Sequence, residues 1–71
     1  LNGSTSFADT ITATGTVTHN LGTEDVIVQL YDVTTLDTVY ADIDRTSVNA
    51  VTVTFGSTPT NSIRVLVQKI G

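Results

Sequence analysis

The chain has no cysteine, no methionine and no tryptophan, one proline, one histidine and only three basic residues among 71. Each shortage removes a class of explanation. Without cysteine there is neither a disulfide framework nor a thiolate metal site, and a single histidine cannot complete an all-histidine site within one chain. The basic side chains Arg45, Arg64 and Lys69 face seven acidic ones, a net charge of −4. Nucleic acid is therefore not an expected partner, because its binding draws on a basic patch that releases counterions. No apolar run approaches the roughly 18 residues of a spanning helix, so membrane insertion is not expected either. No positively charged segment precedes an apolar one, which argues against a signal peptide, and a start at Leu1 reads as the terminal piece of a longer protein.

A chain of this length is read as a single β-domain over residues 1–71. A domain of about this size buries only about 60% of the surface its unfolded chain exposes, so its core is marginal. With no disulfide or metal to reinforce it, self-association or a parent protein is the expected support.

Threonine is the most frequent residue and valine the next. These β-branched side chains suit a pleated surface and disfavour helix. From Phe7 to Leu21 the odd positions Phe7, Ile11, Ala13, Val17 and Leu21 are apolar, and the even positions from Thr10 to Thr18 are hydroxylic. That period of two marks a half-buried strand, or two strands in one register, with Gly15 as a bend, a bulge or a point of close backbone approach. Residues before Phe7 read as a polar lead-in. Further strands are predicted over Asp25 to Asp32, Thr38 to Asp44, Val51 to Phe55 and Ile63 to Ile70. Turns lie at Thr34 to Asp37 and Ser47 to Ala50, and a loop holding Pro59 runs from Gly56 to Ser62. The pattern predicts an all-β fold, a small antiparallel β-sandwich or flattened barrel of about five or six strands, completed by oligomerisation.

The second and last of these strands are apolar on both faces. Ile27, Tyr31, Leu66 and Ile70 fall opposite the side that the core requires, and burying each such side chain is worth about 1.5–3 kcal/mol. Against the roughly 5–15 kcal/mol that holds a domain together, leaving four of them wet is a large forfeit. They are the expected oligomer interface, with a second sheet of the same chain as the competing cover.

No chemistry converges. His19 is the only possible base of a triad, no Gly-x-Ser-x-Gly accompanies it, and its place at a strand end favours a structural role in a turn. A trimer bringing one His19 per chain to an axis for metal binding ranks below that role. Asp42 with Asp44 and Glu24 with Asp25 lack the spacing of a calcium loop and read as solvated strand faces and turn caps. Tyr31, Tyr40, Gln29 and Asn61 could meet a sugar, although core-edge or interface packing is the simpler role for two tyrosines. Arg45 is expected to pair with a surface aspartate. No catalytic residue, no metal and no cofactor is expected.

The segment His19-Asn20-Leu21-Gly22-Thr23 is followed by Asp25-Val26-Ile27-Val28-Gln29-Leu30-Tyr31-Asp32. Further on come Asp42-Ile43-Asp44-Arg45, the run from Asn49 to Phe55, and Arg64-Val65-Leu66-Val67. Together, over residues 17–71, they resemble a recurring β-domain of bacteriophage virion proteins, found chiefly at the distal ends of tail fibres and related appendages. The resemblance implies a non-enzymatic, trimeric module located in the virion, whose partners are its own copies, other virion proteins and a bacterial surface glycan. In this reading His19, Asn20, Gly22 and Thr23 form a structural turn, with Asn20 capping it through its side chain and Gly22 supplying positive φ. Receptor contacts are expected on the loops, at Thr34, Thr35, Asp37, Ser57, Thr58 and Asn61. The competing readings are a capsid decoration or cement domain and a carbohydrate-binding module.

Overall fold

The structure, a computed structural model, describes residues 5–71. The first part of the polar lead-in, residues 1–4, lies outside the described residues. Seven strands are formed: β1 (Ser6–Ile11), β2 (Gly15–Thr18), β3 (Val26–Asp32), β4 (Thr38–Val39), β5 (Asp42–Ser47), β6 (Ala50–Thr54) and β7 (Ile63–Lys69). Among the described residues there is no helix. Four strands make one antiparallel sheet in the order β1-β7-β3-β4, and three make a second in the order β2-β6-β5.

The expected strands are continuous where the chain stays in one sheet and are broken where it changes sheet. The run from Phe7 to Leu21 is broken at 12–14, so β1 pairs with β7 and β2 with β6. The predicted Thr38 to Asp44 strand is likewise broken at Tyr40 and Ala41, giving a two-residue β4 on β3 and a longer β5 on β6. These two breaks raise the strand count to seven. The flattened-barrel alternative is corrected at the same points: each sheet pairs only within itself, and the described residues form no closed barrel. Ala13 lies in the first break and is exposed instead of facing inward. Gly15 opens β2 directly after it, and a side chain there would meet only an ordinary contact with the Ala13 carbonyl, so no close approach demands the glycine.

Between the sheets lies a core of Val17, Leu21, Val26, Leu30, Val51, Val53, Ile63, Val65 and Val67. The alternation in β7 explains its share, since Ile63, Val65 and Val67 point inward while Leu66 and Gln68 point out. Phe7 and Phe55 only border this cluster, so aliphatic side chains fill the centre. At one corner the Phe55 N–H donates to Thr14 Oγ1 at 2.9 Å. At the other, β5 is irregular between Asp44 and Ser47, and Arg45 sits in that bulge. A bulge re-aims a side chain. Arg45 Nη2 donates to the Val26 carbonyl at 2.7 Å, tying β5 to β3 across the two sheets, where an aspartate had been the expected partner.

Candidate functional site

The strand registers divide the loops between two ends of the sandwich. Asp32 pairs with Ile63 and Val26 with Lys69, so the loops after β3 and before β7 share one end. Thr18 and Ser47 both pair with Ala50, which puts the turn after β2 and the β5–β6 turn at the other. The expected structural turn and the expected receptor loops are thus held apart by the length of the strands.

The end that carries the expected receptor loops is organised by Asp32, which is not among the site residues expected from the sequence. Asp32 Oδ1 accepts from the Thr34 N–H at 2.8 Å and the Thr35 N–H at 3.0 Å, and its Oδ2 accepts from Asn61 Nδ2 at 3.1 Å. The Asp32 N–H donates to the Asp37 carbonyl, and the Val33 N–H donates to the Ser62 carbonyl. One carboxylate therefore closes its own turn and reaches across to the second loop. Thr34, Thr35, Asp37, Ser57 and Thr58 are exposed, while Asn61 is half-buried and its amide is committed to Asp32. Leu36, at φ 66, donates its N–H to the Asp32 carbonyl, and its side chain is exposed at the tip of the turn.

The Thr35 N–H, the Asn61 amide and the Thr34 N–H hold the Asp32 carboxyl below its ordinary value, with partial desolvation opposing them. Because the folded value is depressed, the stabilisation is present above the unfolded value of 3.8 and is lost as pH falls through the folded value. Asp32→Ala is expected to speed amide exchange at Thr34 and Thr35 at neutral pH. In the parent chain the protection of these amides, corrected for intrinsic rates, should fall only as pH drops below 3.8 through the folded value. Equal exchange in variant and parent would remove Asp32 from this role.

The structural-turn end is built around His19. Its side chain is 3% exposed, and Nδ1 accepts from the Leu21 N–H at 3.0 Å. Asn20 at φ 56 and Gly22 at φ 73 supply the left-handed steps, and Thr23 Oγ1 accepts from the Asp25 N–H. The expected side-chain cap from Asn20 is corrected: the cap comes from Asn49 on the β5–β6 turn. The Asn49 carbonyl accepts from the His19 and Asn20 N–H groups at 2.8 and 3.1 Å, and its Oδ1 accepts from the Gly22 N–H at 3.0 Å. Burial lowers the His19 pKa below 6.5. Nε2 is sealed within the subunit, so the imidazole is not presented to an axis for metal binding. Among the described residues no three or more His, Cys, Asp or Glu side chains gather to hold a metal ion.

The outer faces of the two sheets differ in chemistry. On the four-stranded sheet the register aligns Ala8, Leu66 and Gln29 in one row and Thr10, Arg64 and Tyr31 in the next, with Ile27 beside Gln68. Leu66 is 37% exposed, Ile27 58% and Ile70 64%, while Tyr31 is half-buried. Arg64 Nη1 donates to Thr10 Oγ1 at 3.0 Å. On the three-stranded sheet the rows pair Asp44 with Thr52 and Thr16, and Asp42 with Thr54. Thr16 and Thr52 share a hydroxyl hydrogen bond at 3.0 Å. Between the β3 edge and the crossing into β5 runs a groove of about 380 Å³, bordered by Ile27, Val28, Gln29 and an outward Tyr40. Comparison with protein-family models, with curated proteins and with solved structures finds no match to this chain.

Proposed function

We propose that this domain is a non-enzymatic structural and attachment module of a phage virion, a trimeric tail-fibre or appendage domain that assembles through its own copies and adheres to a host surface. The observation that carries the reading is the unequal chemistry of the two sheets. One outer face carries Ile27, Leu66 and Tyr31 with Ile70 beside them, and the other carries threonines and aspartates. Water solvates the second well, whereas the first leaves three large aliphatic side chains exposed on a domain whose own core is already filled. A second copy laid on the four-stranded sheet removes that area from water, and Tyr31 and Ile70 complete the interface.

The sequence resemblance to phage fibre domains supplies the setting. The separation of the two ends supplies the division of labour: the His19-to-Thr23 turn braces the fold, and the Thr34–Asp37 and Gly56–Ser62 loops are free to meet a bacterial surface glycan. Identical weak contacts on a symmetric tip then add through effective concentration.

The parent chain is expected to sediment as a trimer, and Leu66→Lys, alone or with Ile27→Lys, to sediment as a monomer with an unchanged far-ultraviolet circular dichroism spectrum. A monodisperse parent monomer at micromolar concentration would sink the self-association. The virion position is tested separately, by locating the domain in a map of the particle. Density at the tail tip supports the fibre reading, and density at capsid quasi-threefold positions transfers the domain to the decoration reading. Glycan binding by an isolated monomer would transfer it to a carbohydrate-binding module.

A further inference from the structure

We infer that His19 is an acid-sensitive pin: uptake of a proton by its ring releases the His19-to-Gly22 turn from the β5–β6 turn at Asn49. The geometry fixes the starting state. Nδ1 accepts a hydrogen bond from the Leu21 N–H, so it bears no proton, and the neutral ring carries its single proton on Nε2. Nε2 is buried and has no partner among the described residues. A second proton has only Nδ1 to occupy, and there it faces the Leu21 N–H, donor against donor. Protonation thus breaks the bond that shapes the turn, leaves both ring donors without acceptors and places a charge on a buried side chain.

No carboxylate compensates. β2 and β6 carry no titratable side chain. On the neighbouring segments Glu24 and Asp25 lie in the loop into β3, Asp42, Asp44 and Arg45 on β5, and Arg64 and Lys69 on β7. None hydrogen-bonds the ring, and burial alone sets the direction of its titration. The fold favours the neutral ring, so the stability it contributes is complete above the unfolded value of 6.5 and declines as pH falls below it toward the folded value. Asp32 acts in a separate window, below 3.8.

What is released is specific. The His19 and Asn20 N–H groups bond the Asn49 carbonyl, the Gly22 N–H bonds its side chain, and Leu21 on the same turn belongs to the core. Letting go of the turn uncovers Leu21 and one end of the sandwich, while the ladders of the four-stranded sheet, centred on β7, are not touched.

The test is residue-resolved amide exchange of the full chain, in whatever assembly it forms, corrected for intrinsic rates, for the parent and His19→Asn. An asparagine carbonyl accepts the N–H two residues on in the same manner and does not titrate. From about pH 7.5 to about pH 5, protection at Leu21 and Gly22 in the parent should fall by up to about thirtyfold, since each unit below the unfolded value is at most a factor of ten, with Thr34 and Thr35 at the far end unchanged. His19→Asn should lose that fall. Equal protection at both pH values, or the same fall in His19→Asn, overturns the inference. Ring titration of the parent by nuclear magnetic resonance keeps it testable if the variant does not fold: a His19 value below 6.5 is expected, and one at or above it overturns the pin.

Discussion

Ile63→Ala is expected to lower the unfolding free energy by about 2–5 kcal/mol, the largest loss from any single truncation in this domain. Ile63 opens β7, the strand paired on both sides in the four-stranded sheet, with Ile11 and Asp32 as its register partners. It is the largest of the fully buried side chains, and its fully buried companions are all valines. A valine-rich core has short, stiff side chains with one preferred χ1, so neighbours cannot swing into the space an isoleucine vacates. The cavity therefore stays open, and the cost approaches the upper part of the range. Measured by urea denaturation at fixed protein concentration, the midpoint should fall with the slope unchanged. Ile27→Ala, outward on β3, should leave the subunit's own stability nearly as it was. A loss below about 1 kcal/mol at Ile63 would mean that the core closes over the gap and is not packed as described.

The contrast between these two isoleucines marks what the sequence makes legible. Alternation assigned the faces of β3, β6 and β7 correctly, because a strand that stays in one sheet keeps its period. The same rule misled at Ala13, and across Tyr40 and Ala41 it assigned the faces correctly but hid the break, since the alternation continues through a corner while the chain passes to the other sheet. Of the turn residues, Gly22 was readable because positive φ has a residue preference. Asn49 and Asp32 were not. Asn49 caps a turn 27 residues away and has no local signature, and Asp32, whose hold on Thr34 and Thr35 is a local Asx pattern, gives no local sign of its reach to Asn61, 29 residues on. Arg45 was legible as a cation and illegible as a bridge between sheets, because its direction depends on a bulge that register, not composition, creates.

Gly22→Val is expected to cost about 1–3 kcal/mol, the second largest effect, and to do so without any steric clash. A side chain at this position would have nothing within 4 Å, so space is not the constraint. The constraint is φ of 73°, a left-handed conformation in which a β-branched residue is a genuine outlier. Valine must either keep that strained angle or abandon it, and abandoning it turns the Gly22 N–H away from Asn49 Oδ1. Gly22→Asn separates the two explanations, because asparagine tolerates the left-handed region and has open space to occupy. Its cost should be below about 1 kcal/mol. Equal losses in the two variants would show that something other than backbone strain is at work. The effect should also remain local to the His19 end: amide protection at Thr34 and Thr35, anchored by Asp32 at the far end of the strands, should match the parent in both variants.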